Sequence, residues 1–161
     1  MLYTTHPSPV GDLLIAGPAP DALAWLTLSG QKYAPAVGPD WARDDAAFRP
    51  VAEQFDAYFA GELTAFDIGF APGGTPFRRR VWAAIDRIPY GTTVTYAQLT
   101  EQAGLEPRMA RAVGGAVGHN PLSIVRPCHR VVGTNGSLTG YAGGLDRKRH
   151  LLTLEGVLLA A

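Results

Sequence analysis

Residues 95–120 read TYAQLTEQAGLEPRMARAVGGAVGHN, and the architecture of the second half of the chain turns on them. Thr95, with Gln98 three positions on, forms a capping-box pair, in which side chains and backbone satisfy each other at a helix start. The spacing predicts a helix of about two turns, closed by Gly104, and a second helix over 107–118 opened by Pro107. Helix, short glycine turn, helix is the pattern of a helix-turn-helix, although a plain helical hairpin shares it. The second helix has unusually small side chains: Ala110, Ala112, Gly114, Gly115 and Ala116 surround Arg111. Two interior glycines cost on the order of 1 kcal/mol each relative to alanine. Either this helix packs closely on another, or it presses against DNA. A helix with ordinary side chains is about 10–12 Å across, while the minor groove is only about 6 Å wide. Only a nearly bare helix, in an opened groove, would fit.

Upstream of this stretch, Thr75 caps a predicted helix with Pro76 at its first position, and Phe77, Val81, Trp82, Ile85 and Ile88 form its core-facing stripe. Pro89-Tyr90-Gly91 stops it. The segment APGG (71–74) reads as a linker, dividing the chain into domains 1–74 and 75–161. In the first, GDLLIAG (11–17) and ALAWLTL (22–28) are strand-prone runs separated by PAPD. Val51, Ala52, Phe55 and Phe59 recur at helical spacing from Phe48 to about Ala60, with Gly61 ending the helix, and AFDIGF (65–70) reads as a further strand. The expected architecture is an α/β N-terminal domain with a small antiparallel sheet and helices, followed by a mainly α C-terminal domain.

The 161 residues are 47% hydrophobic and 17% charged, ordinary values for a globular chain. A single cysteine excludes an intrachain disulfide and any zinc cluster built on paired cysteines. No apolar run approaches the roughly 18 residues of a membrane helix. MLYTTHPSPVGD lacks the basic and apolar regions of a signal peptide, so a soluble, cytoplasmic protein is expected. Net charge is zero but unevenly spread. Residues 1–75 hold three cations against nine acids, and residues 76–161 hold eleven against five. That asymmetry fits either an anionic partner for the second half or attraction between the halves.

The chemistry concentrates in NPLSIVRPCHRVV (120–132). A lone cysteine is often core filler, but Cys128 is flanked by Arg126, His129 and Arg130, and nearby cations favour the thiolate. With an unperturbed pKa near 8.5, only a few per cent of a thiol is ionised at pH 7. His129 is the obvious base. Neighbours on an extended chain point to opposite sides, so a bridging water is expected between thiol and imidazole. Glu155, in LDRKRHLLTLEG (145–156), lies on or beside the apolar face defined by Leu151 and Leu152. It is either a solvated glutamate near a helix end or the third member of a relay, Glu155–His129–water–Cys128.

PCHRVVG, with RAVGGAVGHNP before it and GSLTGYAGGLDRKRHLLTLEG after it, resembles the O6-alkylguanine-DNA alkyltransferases, and TPFRRRVWAAIDRIPYGTTVTYAQL extends the likeness over residues 75–156. The resemblance implies a ribonuclease H-like first domain, a winged-helix-like helix-turn-helix in the second, and direct DNA repair. Cys128 would irreversibly take the alkyl group from O6-alkylguanine in duplex DNA, with O4-alkylthymine as a candidate second substrate, each molecule acting once without a cofactor or metal. It implies catalytic roles for Cys128, His129, Glu155, Tyr141 and Asn120, with Tyr141 donating toward the guanine leaving group. Tyr141, Ala142 and Pro127 would line the substrate pocket. Tyr96, Arg111, Ala112, Gly114, Gly115 and Arg130 would meet DNA through the minor groove, Arg111 filling the space of a flipped-out nucleotide. A monomer is expected.

This sequence departs from the family in a few places. Arg126 stands where an apolar residue commonly precedes Pro-Cys, Ala142 follows Tyr141 where some members carry serine, and one extra residue lies between Tyr96 and Arg111. Residues 1–75 offer His6 but no cysteine for the structural zinc of some relatives. Three alternatives are weaker. A catalytically silent lesion binder would lack Cys128, a cysteine hydrolase would want an acyl oxyanion pocket, and a regulator would need further domains.

Overall fold

The computed structural model describes residues 1–157. In the first half, β1 (Leu2–His6), β2 (Leu13–Gly17), β3 (Trp25–Leu28) and β4 (Ala42–Arg43) form one sheet in the order β3-β2-β1-β4. Ile15 pairs with Thr4 on one side and Leu26 on the other, both antiparallel, but β4 joins β1 in parallel. The sheet is therefore mixed rather than wholly antiparallel. Helix α1 (Arg49–Phe59) buries Val51, Phe55 and Tyr58, and Gly61 follows it at φ 75°.

The strand expected at 65–70 does not form a ladder. Phe70 makes one parallel bridge, to Leu23. The Gln54 side chain takes both backbone groups of Asp67, accepting from its N–H and donating to its carbonyl. Backbone groups satisfied in this way need no strand partner.

In the second half, α2 (Pro76–Asp86) starts on Thr75, whose hydroxyl accepts from the Arg78 N–H at 3.2 Å. Strand β5 (Val94–Thr95) leads into α3 (Tyr96–Gln102), where both halves of the capping box form, at 3.1 and 2.9 Å. Gly104 turns the chain at φ 72°. The helix expected over 107–118 is split. Pro107–Met109 is a 3-10 turn, closed by the Ala110 N–H on the Pro107 carbonyl, and α4 (Ala110–Gly118) follows. Strand β6 (Val131–Val132) pairs in parallel with β5, and α5 (Leu145–Leu154) comes last. Among the described residues no helix is long and apolar enough to cross a membrane.

Two cores result. Trp82, Ile85, Leu99, Val113 and Val117 pack α2, α3 and α4 together. The other core lies between the sheet and α1 and takes in Leu122, Ile124 and Leu151 from the second half. Leu26 of β3 donates to the Pro121 carbonyl at 2.8 Å and accepts from the Ser123 N–H at 2.9 Å. The segment leading to Cys128 is thus pinned to the sheet.

Candidate active site

From the end of α4 the chain reaches Cys128 through a tight loop. Asn120 is buried there. Its amide nitrogen donates to the Arg126 carbonyl at 2.9 Å and its oxygen accepts from the Leu122 N–H at 3.0 Å. Ile124 sits at φ 71°, a backbone conformation that costs a β-branched residue about 1–3 kcal/mol. Burial of its side chain in the first core offsets that strain. Cys128–Arg130 is one 3-10 turn, not the extended segment anticipated. Cys128, 5% exposed, opens into a cavity of about 220 Å³ whose walls include Tyr96, Gly114, Gly115, Tyr141 and Ala142.

Behind the thiol, His129 Nε2 lies 2.8 Å from Glu155 Oε2, both side chains fully buried. A carboxylate only accepts, so Nε2 carries the proton and Nδ1 keeps its lone pair. Nδ1 is buried with no protein partner among the described residues. Burial lowers the His129 pKa, which leaves the ring a neutral base despite Glu155. For Glu155 burial pushes upward, but bonds from His129, Arg130 and Tyr58 outweigh it and bring the carboxyl down to about 2. Burial also dominates at Cys128, raising its pKa, against smaller opposing effects from Asn120, Lys148 and Arg126. The resting thiol is protonated and needs its base.

The flanking arginines therefore do not supply the open positive field that their positions suggest. Arg126 Nε meets Asp86 at 3.0 Å, and its guanidinium lies over Trp82 (5.0 Å) and Phe70 (5.7 Å), which accounts for a cation at this position. Arg130 grips Glu155 with Nε at 2.7 Å and NH2 at 3.0 Å and donates to the Ile88 carbonyl. Expected at DNA, Arg130 is instead an internal counter-ion, 7% exposed. Pro127 is likewise displaced from the expected pocket. It lines a separate cavity of about 400 Å³ with Ile88 and Arg130, because the turn at Cys128 directs it away from the thiol.

Tyr141 forms a wall of the thiol cavity, and its hydroxyl is buried without a hydrogen-bond partner among the described residues. Burial raises its pKa, so it remains a proton donor. The loop just before it is held from both sides. Tyr96 donates to the Thr139 carbonyl at 3.3 Å from outside, and the buried Lys148 ammonium donates to Val131, Thr139 and Gly140 from inside. Burial brings the Lys148 pKa down to about 8, opposed by Cys128.

On α4, Arg111, Ala112 and Gly115 are exposed, and a Cβ added at Gly114, Gly115 or Gly118 would meet nothing within 4 Å. Close packing on another helix is therefore not why these three positions are glycine, whereas Ala116 is buried in the second core. Of the two readings of the charge asymmetry, attraction between the halves loses support, since among the described residues no ion pair joins residues 1–75 to 76–157. Many cations of the second half serve structure. Arg80 and Arg87 cap the carbonyl end of α3, for example, and Arg147 holds Ser29. Arg111 has no partner among the described residues.

Three participants were missed in the sequence. Tyr58 donates to Glu155 Oε2 at 2.6 Å from the first half, yet at its helical spacing it reads as a plain core aromatic. Lys148, inside RKRH, reads as a solvated face. Tyr33 lines the thiol cavity and stacks on His119 with ring centroids 3.9 Å apart, at a left-handed φ of 63° that the sequence does not advertise. Among the described residues no three His, Cys, Asp or Glu side chains converge to hold a metal ion.

Known proteins carry the same arrangement of halves. The ribonuclease-like domain of the 6-O-methylguanine DNA methyltransferases matches residues 1–72, and their DNA-binding domain matches residues 76–157. The chain is 52% identical over 153 residues to a methylated-DNA–protein-cysteine methyltransferase of Mycolicibacterium paratuberculosis, covering 95% of this chain and 91% of the relative. It is 46% identical over 156 residues to that of Methanosarcina acetivorans, covering 97% and 99%. Mycobacterium tuberculosis OGT, solved in complex with DNA, superposes with a TM-score of 0.89 at 47% identity, over 96% of this chain and 92% of that one. With both domains matched and identity near one half over nearly the whole length, the chain belongs to the 6-O-methylguanine DNA methyltransferase family.

Proposed function

We propose that this protein repairs DNA directly, moving an alkyl group from O6-alkylguanine in duplex DNA to Cys128 in a single irreversible turnover, with O4-alkylthymine as a second substrate. The observation that carries this reading is the thiol opening into a cavity of about 220 Å³, with a phenol on its wall that has no partner among the described residues and, next in the chain, an imidazole paired with a buried carboxylate. His129 Nδ1 takes the thiol proton through a water, and Glu155 stabilises the imidazolium that forms. The thiolate attacks the alkyl carbon. An S–C bond forms, the C–O6 bond breaks, and its electron pair leaves with guanine. Tyr141 donates to that leaving group, where a donor lowers the barrier as charge develops. Pocket contact also comes from Ala142. Asn120 positions the cysteine loop.

A thiol in a cavity cannot reach a stacked base, so the target nucleotide is everted. The bare face of α4, with Ala112, Gly114 and Gly115, suits the minor groove, Arg111 fills the vacated stack, and Tyr96 crowds the neighbouring phosphate. The fold divides functionally at residues 74 and 75, and the protein acts as a cytoplasmic monomer without cofactor or metal. Incubation with duplex DNA containing O6-methylguanine should add one methyl mass to the peptide bearing Cys128, and an unchanged mass refutes the reading.

A further inference from the structure

The Glu155 carboxylate serves donors from two distant parts of the chain. Oε2 accepts from His129 Nε2 at 2.8 Å, Arg130 NH2 at 3.0 Å and the Tyr58 hydroxyl at 2.6 Å, while Oε1 takes Arg130 Nε at 2.7 Å. His129 and Arg130 follow the nucleophile directly. Tyr58 stands on α1, 97 positions before Glu155, in the half that contributes neither nucleophile nor base. It is 1% exposed, and its ring is fixed by Phe59 and Phe66, each with centroids 5.2 Å away, and edge-on by Tyr90 at 6.4 Å. The phenol is thus rigidly aimed at the oxygen that the imidazole uses.

We propose that Tyr58 is a positioning residue of the Cys128 relay that acts through Glu155, drawing part of the Oε2 charge away from the His129 imidazole. This rests on the reading of Cys128 as the alkyl acceptor. The Arg130 fork alone fixes the plane of the carboxylate, so removing the Tyr58 hydroxyl leaves Glu155 in place and changes how its charge is shared. The groups facing the relay are Arg130 and His129 from the cysteine turn, Tyr58 from α1, Lys148 from α5 and Tyr141 from the preceding loop, with Tyr90 against the Arg130 guanidinium at 5.6 Å. Without the phenol, Oε2 pulls harder on the Nε2 proton and the imidazolium is favoured. The imidazole then takes the thiol proton more readily, and the thiolate–imidazolium pair holds a larger share of the protein at neutral pH.

The single cysteine makes this measurable in the full-length protein without substrate, from the rate at which iodoacetamide alkylates it at pH 7. Tyr58→Phe should raise the alkylation rate at pH 7 about threefold, the effect of a partly transmitted charge-assisted hydrogen bond on the thiolate share. Phe55→Leu, which loosens the same helix against Phe66 without touching the relay, should lower the melting temperature and leave the alkylation rate unchanged. A Tyr58→Phe alkylation rate equal to or below that of the wild type overturns the proposal, as does an equal acceleration in Phe55→Leu. Methyl transfer to wild-type Cys128 is scored separately, so failure of the repair reading and failure of the Tyr58 assignment give different results.

Discussion

Glu155→Gln keeps the shape of the side chain and removes its charge. In the wild type the carboxyl is held at about 2, against an ordinary 4.5. A difference of about 2.5 units corresponds to about 3 kcal/mol, at 1.36 kcal/mol per unit. The sign follows from linkage. A carboxyl depressed in the folded state stabilises fully above about pH 4.5 and loses that contribution as pH falls toward 2. A second route gives a similar size, since removing one partner of a buried ion pair costs about 3–5 kcal/mol, here by stranding Arg130. Urea unfolding followed by the fluorescence of the three tryptophans would measure both. At pH 7 the glutamine variant should be about 3 kcal/mol less stable, with a melting temperature about 10 °C lower for a domain of this size. Between pH 4.5 and pH 2 it should also lack that part of the wild-type acid loss. Equal stability at pH 7, or identical acid limbs, would show that this carboxylate is not held by the bonds described.

The helix facing DNA should behave oppositely to a packed core. Gly115→Ala meets open space, so it should raise stability by about 1 kcal/mol through helix propensity while weakening affinity for duplex DNA in a binding titration. Unchanged affinity would remove α4 from the DNA interface. Lys148→Met tests the buried ammonium. The folded state gives up this proton near pH 8 and the unfolded state near 10.5, so the wild type should gain about 3 kcal/mol relative to the methionine variant as pH rises across that window. Urea midpoints at pH 7.5 and 10 would show it, and a constant difference between the two proteins would contradict it.

Local chemistry was readable from the sequence wherever neighbours in the chain decide it. Thr95 and Gln98 satisfy each other three residues apart, and Thr75 caps the helix that Pro76 opens, so both starts are written in the sequence. β1 was not readable because LYTTH shows little apolar alternation, and its pairing with β2 and β4 holds it in the sheet. AFDIGF misled in the other direction, because Gln54 satisfies Asp67 in place of a strand partner. In the site, Cys128, His129 and Glu155 could be named as candidates from residue type and spacing, and His129 does meet Glu155 at 2.8 Å. Arg130 and Tyr58 could not be placed, since their roles depend on a carboxylate 25 and 97 positions away. Charge also misled at the arginines, where a formal count gives no hint of which cations already have an internal counter-ion.

The backbone bonds of Leu26 to Pro121 and Ser123, together with Leu122, Ile124 and Leu151 beneath the sheet, make the core of the first half a joint one, although α2, α3 and α4 keep a core of their own. The glycine-rich junction looks like a place to cut, but severing the chain there would strip the cysteine-bearing piece of its apolar cover and of Tyr58. Melting should accordingly occur as one transition for the whole chain. Chimeras that exchange the amino-terminal half between relatives should succeed only when the incoming half brings a sheet edge that pairs with Pro121 and Ser123 and a phenol that reaches Glu155.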